Sequence, residues 1–218
     1  MTSRPSPSGR ATAVLEQHRK PSGRFGRFNA WLMNLRHAKL TAWGLTRVSV
    51  RPADVILDVG CGGGATIRKL SALAPNGKVY GLDYSEDSLR VARRTNAPAI
   101  AQGHVEFRQG SVSQLPFDDA TFDLVTAVET HFWWPDLAND VREVRRVLKP
   151  GGVFTIVSEV YKGGKHGRLV GKLTELTGMT ILSVDEHKQL LSDAGYADVD
   201  IAVVPERGWI SVTARRPA

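Results

Sequence analysis

Cysteine is almost absent: Cys61 is the only one in 218 residues. A lone thiol excludes an internal disulfide and an all-thiolate metal centre, and no metal is expected. Long apolar runs are missing as well. None approaches the ~20 residues that span a bilayer, and no secretory signal with an apolar middle is visible. Together these absences predict a cytoplasmic protein without a membrane span. Acids are scarce at the start. Residues 1–51 carry ten Lys or Arg against the single acid Glu16, a net +9, whereas the rest carries nineteen against twenty-one, a net −2. The basicity belongs to the beginning of the chain, where 1–25 reads as a disordered tail, either solvated or drawn to an anionic partner.

Apolar content of 42% and charged content of 23% are ordinary for a globular protein, and the length suits one sizeable α/β domain. In "RFNAWLMNLRHAKLTAWGL" (27–45), Phe28, Trp31, Leu32, Leu35, Ala38 and Ala42 recur at spacings of three and four, which predicts an amphipathic helix. From Asp54 onward, strand-like runs at 54–59, 78–83, 104–109, 122–128, 151–159, 197–204 and 209–214 alternate with helical periods at 64–74, 85–95, 136–148 and 184–194. That βαβα order predicts a doubly wound, mostly parallel sheet. Only "PERG" (205–208) separates the last two strands, so they should form an antiparallel hairpin. Residues 161–182, with five glycines, interrupt the rhythm as an insertion in a domain running from 51 to 218.

The first strand runs into "ILDVGCGGGAT" (56–66). Gly60, Gly62 and Ala65 meet a relaxed G-x-G-x-x-G/A spacing, and Asp83 ends the next strand, where an acid can accept from both ribose hydroxyls. These features point to a nucleoside-containing cofactor. Asp58 discriminates further, because a carboxylate ~6 Å from a pyrophosphate charge meets roughly 3 kcal/mol of repulsion at an effective dielectric of 20. A ligand bearing an ammonium or sulfonium gains from the same group. S-adenosyl-L-methionine carries both, together with adenosine.

The motifs "ILDVGCGGG", "VYGLDYSEDSL", "LPFDDATFDLVTAVET" and "EVRRVLKPGGVFTIVSE" resemble class I S-adenosylmethionine-dependent methyltransferases, in the branch like the ubiquinone and menaquinone biosynthesis enzymes. The resemblance implies a Rossmann-like sheet of seven strands whose last strand is antiparallel, and methyl transfer to a small-molecule acceptor. It implies that Asp58 organises the methionine end of the cofactor over Gly60, Cys61 and Gly62, that Asp83 holds the ribose, and that Tyr84 packs on the adenine. Where the family often has a Gly-Asp pair for the adenine amino group, this chain has Gly110-Ser111. The Ser111 hydroxyl and the Val112 amide are left to serve the ring. The glycines of "LKPGG" (148–152) read as a turn between helix and strand.

The fourth strand ends in "VETHFWWPD" (128–136). Glu129 is the candidate to face the methionine ammonium or the acceptor, and His131 is a candidate general base because its ordinary pKa lies near neutrality. Phe132, Trp133 and Trp134 are candidate walls for the acceptor, although three consecutive rings cannot all face one way. In the segment 26–50, expected as a helical lid, Trp31, Asn34 and His37 offer a wall, an amide and a possible base. Two other functions compete. An NAD(P)-dependent oxidoreductase is opposed by Asp58 and by the terminal hairpin. A nucleic-acid methyltransferase is suggested by the basic start, but "ETHF" stands where an Asn/Asp-Pro-Pro-aromatic run would mark amino methylation.

Overall fold

The computed structural model describes residues 37–165, 174 and 178–218. The tail at 1–25, residues 26–36 of the expected lid with Trp31 and Asn34, and most of 166–177 in the expected insertion lie outside the described residues. Within them, β1 (Val55–Val59) is the centre of a seven-stranded sheet. Its neighbours follow the order β3–β2–β1–β4–β5–β7–β6, with β2 at Lys78–Asp83, β3 at Val105–Gln109, β4 at Phe122–Val128, β5 at Leu148–Ser158, β6 at Ala197–Val204 and β7 at Trp209–Arg215. All ladders are parallel except those of β7, which runs antiparallel to both β5 and β6. The sheet is therefore the mostly parallel α/β architecture that the alternating pattern predicts.

Successive residues of β1 point to opposite faces. Ile56 packs with Ile67 of α2 (Ala65–Leu73), Leu89 of α3 (Glu86–Thr95) and Leu45 of α1 (Ala38–Leu45). Leu57 and Val59 pack toward the opposite layer, with Val141 and Val144 of α5 (Leu137–Val147) and Leu191 of α6 (Val184–Asp193). Local chemistry starts these helices. The Ser85 hydroxyl caps α3, Asp136 accepts from the Asn139 amide to cap α5, and Ser183 with Glu186 forms a capping box on α6. At the opposite end of the strands, Asp123 accepts from the Val55 amide and from Lys149 and Arg51, tying β1 to β4 and β5.

Two details differ from the sequence pattern. β5 begins at Leu148, not 151, and continues through a register shift near Phe122 and Leu124. Gly151 there donates to the Arg216 carbonyl and the Arg216 amide donates to Gly152, so "LKPGG" is a bulged strand start paired with the chain end. A short helix at Ala97–Ala101 also appears, in "APAIA", with no buried residues to give it an apolar period.

Chain order reverses at the β1–β4 boundary: β2 and β3 lie to one side, and β4 returns to the other. At such a switch point the crossover loops part and leave a crevice beyond the carboxyl ends of the strands. α1 crosses β5 and β7 beside it, close enough that a Cβ on Gly44 would overlap the Val157 side chain.

Candidate active site

A cavity of about 220 Å³ opens in that crevice, below the ~300–1,000 Å³ usual for a site that encloses a whole ligand, so part of any ligand extends to its mouth. Val59 and Gly60 of the first crossover, Leu82, Asp83 and Tyr84 after β2, and Gly110, Ser111 and Val112 after β3 line it. Thr130, Trp133, Trp134 and Pro135 after β4 close the other side. Residues distant in sequence but predicted as one site thus meet here: Gly60, Asp83, Tyr84, Gly110, Ser111 and Val112.

The glycine loop is not arranged to cradle a phosphate. The Gly60 and Cys61 amides both donate to the Leu82 carbonyl, at 2.7 and 3.0 Å, and the Gly64 amide donates to the Cys61 carbonyl. The Gly62 amide donates to Asp83 Oδ2 at 2.9 Å, while Asp83 Oδ1 accepts from the Ser85 amide at 2.8 Å. A phosphate nest needs such amides aimed outward. Gly60, Gly62 and Gly64 all have positive φ, at 72°, 50° and 78°. At Gly60 a Cβ would in addition overlap Thr130 Oγ1, whereas at Gly62 it would meet open space. Gly60→Ala is therefore expected to destabilise the fold by about 2–4 kcal/mol, and Gly62→Ala by only the left-handed strain of about 1–2 kcal/mol. Chemical denaturation of the two variants reads the difference, and equal losses would place no tight contact at Thr130.

Asp58 lies behind the cavity wall. It is buried, flanked by Gly81 and Thr126 on the neighbouring strands, and accepts from Thr126 Oγ1 at 2.5 Å. Burial pushes its pKa up to about 7, opposed by the Thr126 hydrogen bond and reinforced by the Asp83 charge. Burial also raises Asp83, against the two amides that stabilise its charge. Cys61 is buried, and desolvation, with Asp83 and Asp58 nearby, pushes its thiol up, so it carries no thiolate nucleophile. Tyr84 is 41% exposed at the cavity edge, and the Ser111 hydroxyl already accepts from the Ser113 amide.

His131 does not line the cavity. It sits in a 3₁₀ turn, His131–Trp133, 1% exposed, with its Nε2 3.2 Å from His187 Nε2. His187 Nδ1 lies 2.7 Å from the Ser183 carbonyl and must donate to it, so His187 Nε2 accepts from His131 Nε2. Burial, with His187 beside it, holds His131 well below its ordinary pKa, and it stays neutral. Of the three rings, Trp133 and Trp134 reach the cavity. Trp134 also stacks on Phe154, while Phe132 packs with Met179 and Ile181.

Glu129 and His37 meet in a second cluster beside Thr130. Glu129 adopts φ 57°, a left-handed conformation that costs a side-chain-bearing residue about 1–2 kcal/mol. Its Oε1 accepts from the Glu159 amide, and its Oε2 lies 3.9 Å from His37 Nε2. Glu159 Oε1 stands 3.6 Å from the same nitrogen. Burial raises the Glu129 pKa to about 7, with His37 opposing and Glu159 reinforcing the shift. Thr126, Thr130 and Glu159 are the residues that sequence reading missed. Nothing in the sequence marks the two threonines; Glu159 carries the one available signal, an acid at the carboxyl end of a strand.

Residues 57–156 match a family model described as a methyltransferase domain. The chain is 37% identical over 133 residues to a demethylmenaquinone methyltransferase of Geobacillus stearothermophilus, covering 61% of this chain and 56% of that protein. It therefore spans just over half the length of such curated relatives. Its fold is similar to that of a methyltransferase solved in complex with the Haloferax volcanii Trm112 methyltransferase activator, with TM-score 0.75, 24% identity, and coverage of 88% and 94%. It is also similar to the Haemonchus contortus phosphoethanolamine N-methyltransferase 2 in complex with phosphomonomethylethanolamine and S-adenosylhomocysteine, with TM-score 0.73, 15% identity, and coverage of 83% and 53%. Over residues 57–156 the chain is thus similar to the class I methyltransferases that use S-adenosylmethionine as cofactor, including enzymes of quinone biosynthesis. No helix among the described residues is long and apolar enough to cross a membrane.

Proposed function

We propose that the protein methylates a small, largely apolar acceptor that carries an acidic proton. The observation that supports this best is the pairing of two adjacent sites. A cofactor cavity ends at Thr130, and the next residue back, Glu129, is a buried carboxyl poised near neutrality. The cofactor supplies a methyl group already activated by its sulfonium. Asp83 takes the ribose hydroxyls, while Tyr84, Gly110, Ser111 and the Val112 amide surround the adenine. Gly60, Cys61 and Gly62 pass beneath the methionine end, and Asp58 favours its ammonium through space.

The acceptor enters beside Phe132, Trp133, Val160, Met179 and Ile181, which form an apolar cluster. α1 serves as the lid. Positioning the acceptor in line with the carbon–sulfur bond is the main task, worth up to ~7–11 kcal/mol in well-oriented reactions. The bound cofactor would supply the methyl group and keep the old bond pair on sulfur, and Glu129, with His37 alongside, would take the proton that the acceptor gives up. A carboxyl near 7 is matched to that transfer at neutral pH. His131, shielded and neutral, only positions the turn. The similarity to a demethylmenaquinone methyltransferase fits an acceptor of this character.

Incubation of the full chain with S-adenosylmethionine labelled in its methyl group, and separately with lipid, polar-metabolite and nucleic-acid fractions of cells, tests the reading. Label is expected in one organic-extractable product. Transfer confined to nucleic acid, or to no fraction, would overturn it.

A further inference from the structure

We infer that His37, Glu129 and Glu159 form a binding site for a divalent first-row metal ion of the Zn²⁺ or Mn²⁺ class. The three side chains come from the start of α1, the end of β4 and the end of β5. Each presents one ligating atom, and these atoms lie within 4.8 Å of one another. Two ligands held ~2.1 Å from a tetrahedral ion stand ~3.4 Å apart. The observed 3.6 Å from His37 to Glu159 and 3.9 Å from His37 to Glu129 approach that spacing. Small rotations of the partly exposed groups close the remaining gap.

The chemistry of the set agrees with the spacing. One imidazole and two carboxylates form a borderline-to-hard donor set, which suits Zn²⁺, Mn²⁺ or Fe²⁺ and does not suit the soft ions that thiolates select. Among the described residues, the ion-pair partner of Glu129 is His37, an imidazole that can ligate, rather than a lysine or arginine that would occupy the carboxylate permanently. Exposure is graded across the cluster. The Glu129 side chain is 8% exposed, His37 14% and Glu159 28%, so the inner ligand is fixed while the outer edge gives an ion and its waters a way in. The backbone supports the inner ligand as an outer shell should. The Glu159 amide donates to Glu129 Oε1, and the Glu129 amide donates to the Val157 carbonyl, so β5 holds the very carboxylate that it joins.

Three protein ligands leave coordination positions open, as in metal sites that take a substrate oxygen. Glu129 is next in the chain to Thr130, which lines the cofactor cavity, so the site would take an oxygen atom of the acceptor. With an ion bound, Glu129 is held as a carboxylate ligand and the acceptor proton leaves to water instead; the ion site stands whether or not the proposed acceptor class is right, because metal binding is read without methyl transfer.

Calorimetric titration of untagged, metal-free full chain with Zn²⁺ and with Mn²⁺ is the test, on the wild type and on Glu129→Gln, Glu159→Gln and His37→Gln. Each variant is checked for a cooperative melt; His37 lies at a helix start and Glu159 at a strand end, so either suffices if Glu129→Gln does not fold. One equivalent of at least one of the two ions is expected to bind the wild type, with affinity about tenfold or more weaker in each folded variant. No saturable binding below about 1 mM would overturn the site. Equal affinity in wild type and variants would overturn it too, by placing the ion elsewhere.

Discussion

Replacing Asp83 by alanine weakens the affinity for S-adenosylmethionine by at least tenfold. In the role proposed for Asp83, charge-assisted hydrogen bonds to the two ribose hydroxyls would contribute about 1.5–3 kcal/mol each, and the alanine variant makes neither. The same carboxylate holds the glycine loop from beneath, through the Gly62 amide, and shapes the turn into α3 through the Ser85 amide. The variant therefore loses the ligand contact and the loop geometry together. Asp83→Asn separates the two effects, since its amide oxygen still accepts one backbone hydrogen bond, and it should fall between wild type and alanine. Calorimetry with S-adenosylhomocysteine reads both. An unchanged affinity in Asp83→Ala would remove Asp83 from the ribose.

Asp58→Asn gives the second large effect, and it has two signs. The folded pKa is about 7 against an ordinary 3.8, so the native state holds a proton that the unfolded chain releases. The stability from this group is complete below about pH 4 and is lost as pH rises toward 7. Asparagine does not ionise, so the unliganded variant should melt higher than wild type at pH 8, by more than the ~2–4 °C that corresponds to 1 kcal/mol in a chain of this size. Ligand binding moves the other way. An ammonium nearby draws the Asp58 proton off, so wild-type affinity for S-adenosylmethionine should rise between pH 6 and 8, and that rise should flatten in the variant. The variant should also lose more affinity for S-adenosylmethionine than for adenosine. Equal losses for the two ligands would show that Asp58 does not sense the methionine end.

The strands were legible because their apolar runs are short and bounded by turns; β2, β4 and β6 begin and end where the pattern places them. The place of Asp83 on the cavity wall was legible for a similar reason, since the residue that ends the second strand of a crossover faces the crevice. The orientation of Asp58 was not. A period of two says that it faces away from Leu57, but only the neighbouring strands show that Thr126 meets it behind the cavity wall. His131 was misleading as a candidate base because its partner, His187, lies 56 positions away on a helix that packs over it. The pairing of Glu129 with Glu159 depends on the β4–β5 register, and a single strand carries no trace of its neighbour's register. Tertiary pairing decided the chemistry at each of these three positions.

The place of β7 also bears on how the protein is made. β6 bonds to the sheet only through β7, and β7 fills the slot between β5 and β6. Chains emerge from the ribosome N-terminal end first. Until residues 209–215 emerge, β5 is the open border of a five-stranded parallel sheet, and β6 has nothing to join. That border is a template for another chain, so chaperones or self-association compete for it at this stage of synthesis. β7 closes the sheet by insertion, and its emergence sets the earliest moment at which the crevice rests on a finished floor.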